Sequence, residues 1–239
     1  MIRTTLDPER VVATAARLRD RIHERFPEAN LGKVATTLLE IARDHTDRVA
    51  TITRPNRLLQ ATSATLLLLG IGAVGALLME ARLDTTWTLA ETLQSLEAGL
   101  SMSFFLGAAA IYVLSLDLRQ KRRRCLQALH ELRALAHIVD MHQLTKDPDG
   151  LQPGRPDTPS SPDRTLTRFE LARYLDYCSE MLSIMGKIAA IYVQDFPDPQ
   201  AVAAVDDIED LTTGLSRKIW QKIMILGPSA VTGGDGTQT

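Results

Sequence analysis

The stretch HELRALAHIVDMHQLTKDP holds side chains whose types and spacing suit a metal ion. His137 and Asp140 are three residues apart and share one helix face, and His130 lies two turns earlier on it. Imidazole and carboxylate together are a donor set that zinc or iron accepts. The set is incomplete. His142 projects to another side, no Glu-x-x-His unit is present, and no second cluster supplies further ligands. Polar contacts at a helix interface account for these residues, and a metal site would need a second subunit to complete it. The segment RYLDYCSEML crowds Tyr174, Asp176, Tyr177, Cys178, Ser179 and Glu180 onto one helix. A cysteine nucleophile needs a histidine base and a lowered pKa. No histidine lies in this helix, and Cys178 falls on its apolar seam. The sequence has no Walker loop, Gly-rich dinucleotide turn, Gly-x-Ser-x-Gly elbow, His-Glu-x-x-His or Cys-x-x-Cys. The expectation is a non-enzymatic protein with no catalytic residue, cofactor or metal.

A different chemistry is offered by SLDLRQKRRRC. Arg119, Lys121, Arg122, Arg123 and Arg124 put five cations into six residues. Nucleic-acid binding does not fit them. The chain carries 27 Lys and Arg against 29 Asp and Glu, a net charge of −2, and no aromatic residue is interleaved with the run for base stacking. What precedes the run explains it better. From Ala98 to Leu116 there are 19 residues without a charge, and from Leu58 to Met79 there are 22. As helices these windows are about 28 and 33 Å long, against a bilayer core of roughly 30 Å. The first window begins 57 residues into the chain, behind charged helical sequence, so it does not read as a signal peptide. No lipidation motif is seen.

Basic flanks stay on the cytoplasmic side of a membrane. Arg43, Arg48, Arg54 and Arg57 precede the first window, and the Arg119–Arg124 run follows the second. Residues 80–97 between them carry one Arg against four acids. The expected topology is a hairpin in the plasma (inner) membrane with both termini cytoplasmic. The basic run fixes that topology and is also placed to meet anionic lipid headgroups. Gly72 and Ala76 in the first window, with Gly75 adjacent, and Ser103 and Gly107 in the second, put small residues at helical spacing. They suit close packing, either within the hairpin or between subunits. No charge lies inside either window, so no ion relay is visible.

The remaining segments read as helices. Asp7 caps the first, with Pro8 at its first position and Val11, Ala15, Leu18 and Ile22 on one face. The second, from about Leu31 to Ile52, sets Leu31, Val34, Leu38, Ile41, His45 and Ile52 at three-four spacing. No Pro or Gly falls between Gly107 and Pro148, so the second membrane helix should continue as a stalk to about Thr145. Lys146 to Thr165 holds five prolines and two glycines, a loop. Thr167 and Glu170 then form a capping box. Leu171, Leu175, Cys178, Leu182, Met185, Ala189 and Tyr192 alternate spacings of four and three, a heptad seam for a bundle or coiled coil. A last helix runs from about Gln200 to Leu226. Its end, SRKIWQKIMIL, suits either a core with snorkelling cations or a membrane surface. Two cysteines, Cys125 and Cys178, are too few for a disulfide framework.

The fold class expected is therefore all-α. N-terminal cytosolic helices occupy 1–56, a transmembrane hairpin 57–118 (helices about 58–79 and 98–116), and a stalk 119–145. A Pro-rich loop at 146–165, a cytosolic helical pair at 166–227 and a disordered tail at 228–239 complete it. This layout resembles that of small two-helix membrane effectors of bacterial defence systems, through its organisation and not through a motif. The expected function is a membrane-anchored protein whose cytosolic helices self-associate or bind a cytosolic protein partner. The alternative is an oligomeric channel or pore former gated by the cytosolic bundle. The expected partners are the lipid bilayer and further copies of the chain, with no nucleic acid.

Overall fold

The computed structural model describes residues 5–53, 56–83, 88–148, 159–161 and 165–227. They form six helices and, among the described residues, no strand: α1 (Pro8–Arg25), α2 (Leu31–Thr53), α3 (Arg57–Leu83), α4 (Leu89–Leu144), α5 (Arg168–Gln194) and α6 (Pro199–Leu226). The tail and most of the Pro-rich loop lie outside the described residues. The chain divides into two compact units, residues 52–124 and, from both sides of it, residues 1–51 with 125–239.

The helix starts follow from capping. Asp7 accepts from the Glu9 amide ahead of Pro8, Thr167 and Glu170 close the reciprocal box on α5, and Asp198 accepts from the Gln200 and Ala201 amides. Each satisfies amides that lack partners in the first helical turn. α4 runs 56 residues unbroken, from Leu89 to Leu144.

In the larger unit, Val11, Ala15, Leu18 and Ile22 of α1 are buried, as are Leu31, Val34, Leu38 and His45 of α2. Ile41 is half-buried, and the side chain of Ile52 lies outside the description. Leu129, Leu132, Leu135 and Val139 of α4 are buried, while Ile138 is exposed. All seven residues of the α5 heptad seam are buried, but burial goes well beyond that seam. Ala172, Tyr177, Met181, Ile184, Ile188 and Ile191 are buried too. A two-stranded coiled coil would leave those residues in water. α5 is instead the centre of a bundle and meets four helices. It reaches α1 through Glu180 on Arg21 at 2.9 Å, and α2 through Tyr192 on His45, ring centroids 4.3 Å apart. It reaches α4 through Tyr174 on His142 at 3.4 Å, and α6 where a Cβ at Gly186 would stand 3.5 Å from Thr212. Each large side chain buried this way stabilises the fold by roughly 1.5–3 kcal/mol. Phe26 stands edge-on to Tyr174 and Tyr177, closing the α1 end. A Cβ at Gly32 would come within 2.8 Å of the exposed His23 ring, which would have to turn aside.

The smaller unit contains α3 and the first part of α4. Among its described residues the buried positions are small: Ser63 and Gly70 on α3, Gly99 and Ala110 on α4. The half-buried Leu59, Leu66, Ser103 and Leu106 fall between them at three-four spacing. The two helices meet at Gly70, where a Cβ would stand 3.5 Å from Leu106. The large apolar residues point the other way. Leu67, Leu68, Leu69, Ile71, Leu100, Phe104, Phe105 and Ile111 are all exposed.

Candidate functional site

Two places in the molecule hold side chains that need a functional account. The first is the surface of the smaller unit. α3 and α4 are each long and apolar enough to cross a membrane, and only 11% of each apolar window is buried within the protein. The core helix of a soluble protein would show the reverse.

At the end of the second window, Asp117 and Lys121 pair at 2.9 Å. Their side chains retain 20% and 18% of their exposure, so Lys121, the second cation of the run, turns towards the protein. Arg122 is half-buried, and Arg119, Arg123 and Arg124 are exposed. Of the small residues singled out by spacing, Gly72 and Ala76 are exposed and Ser103 and Gly107 half-buried. A Cβ added at Gly72, Gly75 or Gly107 would meet nothing within 4 Å. The close approach within the hairpin thus falls on Gly70, two residues from the glycine that spacing picked out. In a helix apolar on every side, spacing does not reveal which face turns to its neighbour.

The second place is a polar cluster inside the larger unit. α2 contributes His45 and Arg48, α4 Cys125 and Glu131, and α5 Tyr192. Arg48 donates to Glu131 at 2.6 Å, with both side chains partly exposed. His45 is 1% exposed, and among the described residues neither ring nitrogen has a hydrogen-bond partner; the Tyr192 hydroxyl is buried beside Arg48. Burial, helped by the neighbouring Arg48 cation, lowers the His45 pKa to about 4. Burial raises Tyr192 to about 12 and raises Cys125 to about 11, the latter with a contribution from Asp198. All three are therefore uncharged at neutral pH, the form a packed interior favours. The sequence signal for this cluster was a polar residue at a core position: His45 on an apolar face and Tyr192 closing the α5 seam. Nothing in the spacing of Arg48 or Glu131 links them across 83 residues.

The residues read as candidate metal ligands are not brought together. His130 and His137 are exposed, and Asp140 accepts from Gln143 at 2.6 Å. Among the described residues, no three His, Cys, Asp or Glu groups are arranged to hold a metal. His142 is the histidine of that stretch turned into the bundle, onto Tyr174, and burial lowers its pKa. Cys178 is fully buried, which pushes its thiol up to about 12 and suppresses the thiolate. Lys222 turns inward and donates to the carbonyls of Gln143 and Lys146 at 2.7 and 3.3 Å. A cation there satisfies the open end of α4. Beside it, Trp220, Met224 and Ile225 stay exposed while Ile219, Ile223 and Leu226 are buried.

Against known protein families, curated proteins and solved structures, the chain has no match.

Proposed function

We propose that this is a non-enzymatic integral membrane protein. The hairpin of α3 and the first part of α4 anchors it in the plasma (inner) membrane. Its remaining helices lie on the cytoplasmic side, where they self-associate or bind a protein partner. The observation that carries the reading is the exposure of Leu68, Leu69, Phe104 and Phe105 in a unit whose buried positions, among the described residues, are Ser63, Gly70, Gly99 and Ala110. A patch of that extent is unstable in water and ordinary in lipid, where helices pack through small residues. The basic run sets the orientation by resisting translocation. Two measurements test it. The protein should stay in the membrane pellet after alkaline carbonate extraction. A cysteine introduced at Thr88 should react with an impermeant thiol reagent applied to intact cells, and one at Lys187 should not. Release by carbonate, or the opposite labelling pattern, overturns the reading.

A pore is the second reading. It is favoured by the exposed, unfilled surface at Gly72, Gly75 and Ala76, which suits contact between hairpins of neighbouring copies. Two helices cannot enclose a channel, so such contacts are a requirement. Purified protein in planar bilayers should then conduct; silence with and without cytosolic extract removes this reading.

A further inference from the structure

We propose that the outward face of α6 docks on the same face of a second copy, the two helices antiparallel about a two-fold axis at Thr213 and Gly214. The proposal rests on the self-association reading above and gives it a surface.

The inner face of α6 is spent on the bundle, with Ala201, Val205, Ile208, Leu215 and Ile219 buried. The outer face divides by charge. Asp206, Glu209 and Asp210 lie before the midpoint, Arg217 and Lys218 after it, and all five are exposed. Helix physics within one chain does not explain this division. The helix dipole acts on the terminal turns, yet α6 has no acid in its first turn and no base in its last. Ion pairs three or four residues apart do not explain it either. Asp206 and Asp210 are four apart with like charge, which costs stability. Arg217 and Lys218 have no acid within four residues on either side. Among the described residues none of the five forms an ion pair; the neighbouring Asp207 is the one that does, with Arg133 at 3.8 Å.

An antiparallel second copy resolves the pattern. Symmetry about the 213–214 peptide sets Asp210 opposite the partner's Arg217, and Glu209 opposite the partner's Lys218. A two-fold contact is self-complementary, so each pair occurs twice. Further out the same register sets Val202 opposite the partner's Ile225. It sets Ala203 opposite the partner's Met224. In the single chain, Ile225 is 52% and Met224 62% exposed. At the axis itself stands a glycine. Gly214 is exposed in mid-helix, where glycine disfavours the helix, and a Cβ there would meet nothing within 4 Å. Nothing inside the chain needs a glycine at that point, whereas two backbones crossing closely do.

The test uses the full chain in nanodiscs or mild detergent. Gly214→Cys should form a disulfide-linked dimer under gentle oxidation, while Lys187→Cys on exposed α5 surface should not. Asp210→Arg and Arg217→Asp should each weaken association about tenfold or more, because each sets like charges opposite one another twice. The double variant D210R/R217D should recover it to within about threefold, since the pair is restored with its polarity reversed. Single reversals without effect, a double variant no better than the singles, or a chain monomeric at every concentration overturns the proposal. Carbonate extraction of the same variants reports the anchor separately. A chain that stays in the membrane but ignores the charge swap overturns the α6 surface alone. A chain released by carbonate that still obeys the swap overturns the membrane reading and leaves this one standing.

Discussion

Helices α3 and α5 are both 27 residues long and both rich in aliphatic side chains. Their surroundings are opposite. α5 buries fourteen residues against its neighbours; of α3's described residues only Ser63 and Gly70 are buried. Charge placement separates them. α5 carries Arg173, Asp176, Glu180 and Lys187 along one strip, and that strip marks where water is. α3 has no charge from Leu58 to Met79, so no side of it is marked for water. The packing is inverted accordingly. α5 turns its largest side chains inward, whereas the two buried residues described on α3 are small and Leu58, Leu67, Leu68 and Leu69 stay exposed. A helix apolar on every side is either enclosed in the core of a large protein or set in lipid, and α3 is not enclosed.

The largest effect expected is in α5. Leu182 is fully buried, so Leu182→Ala should cost about 2–5 kcal/mol in denaturant unfolding of the purified chain. The same truncation at Leu68, 68% exposed, should cost almost nothing. Equal costs would erase the contrast between the two helices.

Charge sharpens the comparison from the other side. Leu68→Arg should reduce membrane integration by roughly 2.5–3.5 kcal/mol, read as the inserted fraction in a translocation assay. If the surface faced water instead, the change would stay within about 0.5 kcal/mol and leave the fraction unaltered.

Acid should act on the larger unit. Its His45 has a folded pKa of about 4, below the 6.5 of an unhindered imidazole. The folded state prefers the neutral ring, so this contribution is complete above pH 6.5. It is lost progressively as pH falls from 6.5 to about 4, by something on the order of 3 kcal/mol. Unfolding midpoints followed across that window should drop, and His45→Leu should flatten the profile. A hairpin inserted as proposed should remain so throughout, since no Asp, Glu or His lies within its uncharged windows.

The smallest effect concerns a glycine. At Gly186 in α5 an added Cβ would be in ordinary contact, 3.5 Å from Thr212. Gly186→Ala should therefore raise stability by about 0.5–1 kcal/mol through helix propensity alone, visible as a higher unfolding midpoint. A loss would mean that α5 and α6 pack more closely than this contact indicates.

Much of the fold was legible because it is local. Asp7 before Pro8, Thr167 three residues before Glu170, and the unbroken run from Gly107 to Pro148 each act within a few turns of chain. The α1 face was legible as well, because one apolar stripe on a polar helix leaves a single way to turn it. Of the polar cluster, only His45 and Tyr192 stood out, as polar groups at core positions. In the sequence Cys125 reads only as a free thiol, and Arg48 only as a charge flanking the first window. Their association with Glu131 joins three helices far apart in sequence, and no local rule carries it.

By itself, then, the sequence determined an all-helical chain, its caps, its two uncharged windows and the asymmetry of charge around them. These depend on residue type and on separations of three or four. Tertiary structure decided that α5 is the centre of a bundle and not half of a coiled coil, and that Gly70 rather than Gly72 meets α4. It also decided that Lys222 and His142 turn inward while Trp220 stays out. The physical reason is the same in each case. Periodicity fixes the face a helix presents when that face differs from the rest, but which neighbour it meets, and how it turns when all faces are alike, depends on contacts between residues far apart in the chain.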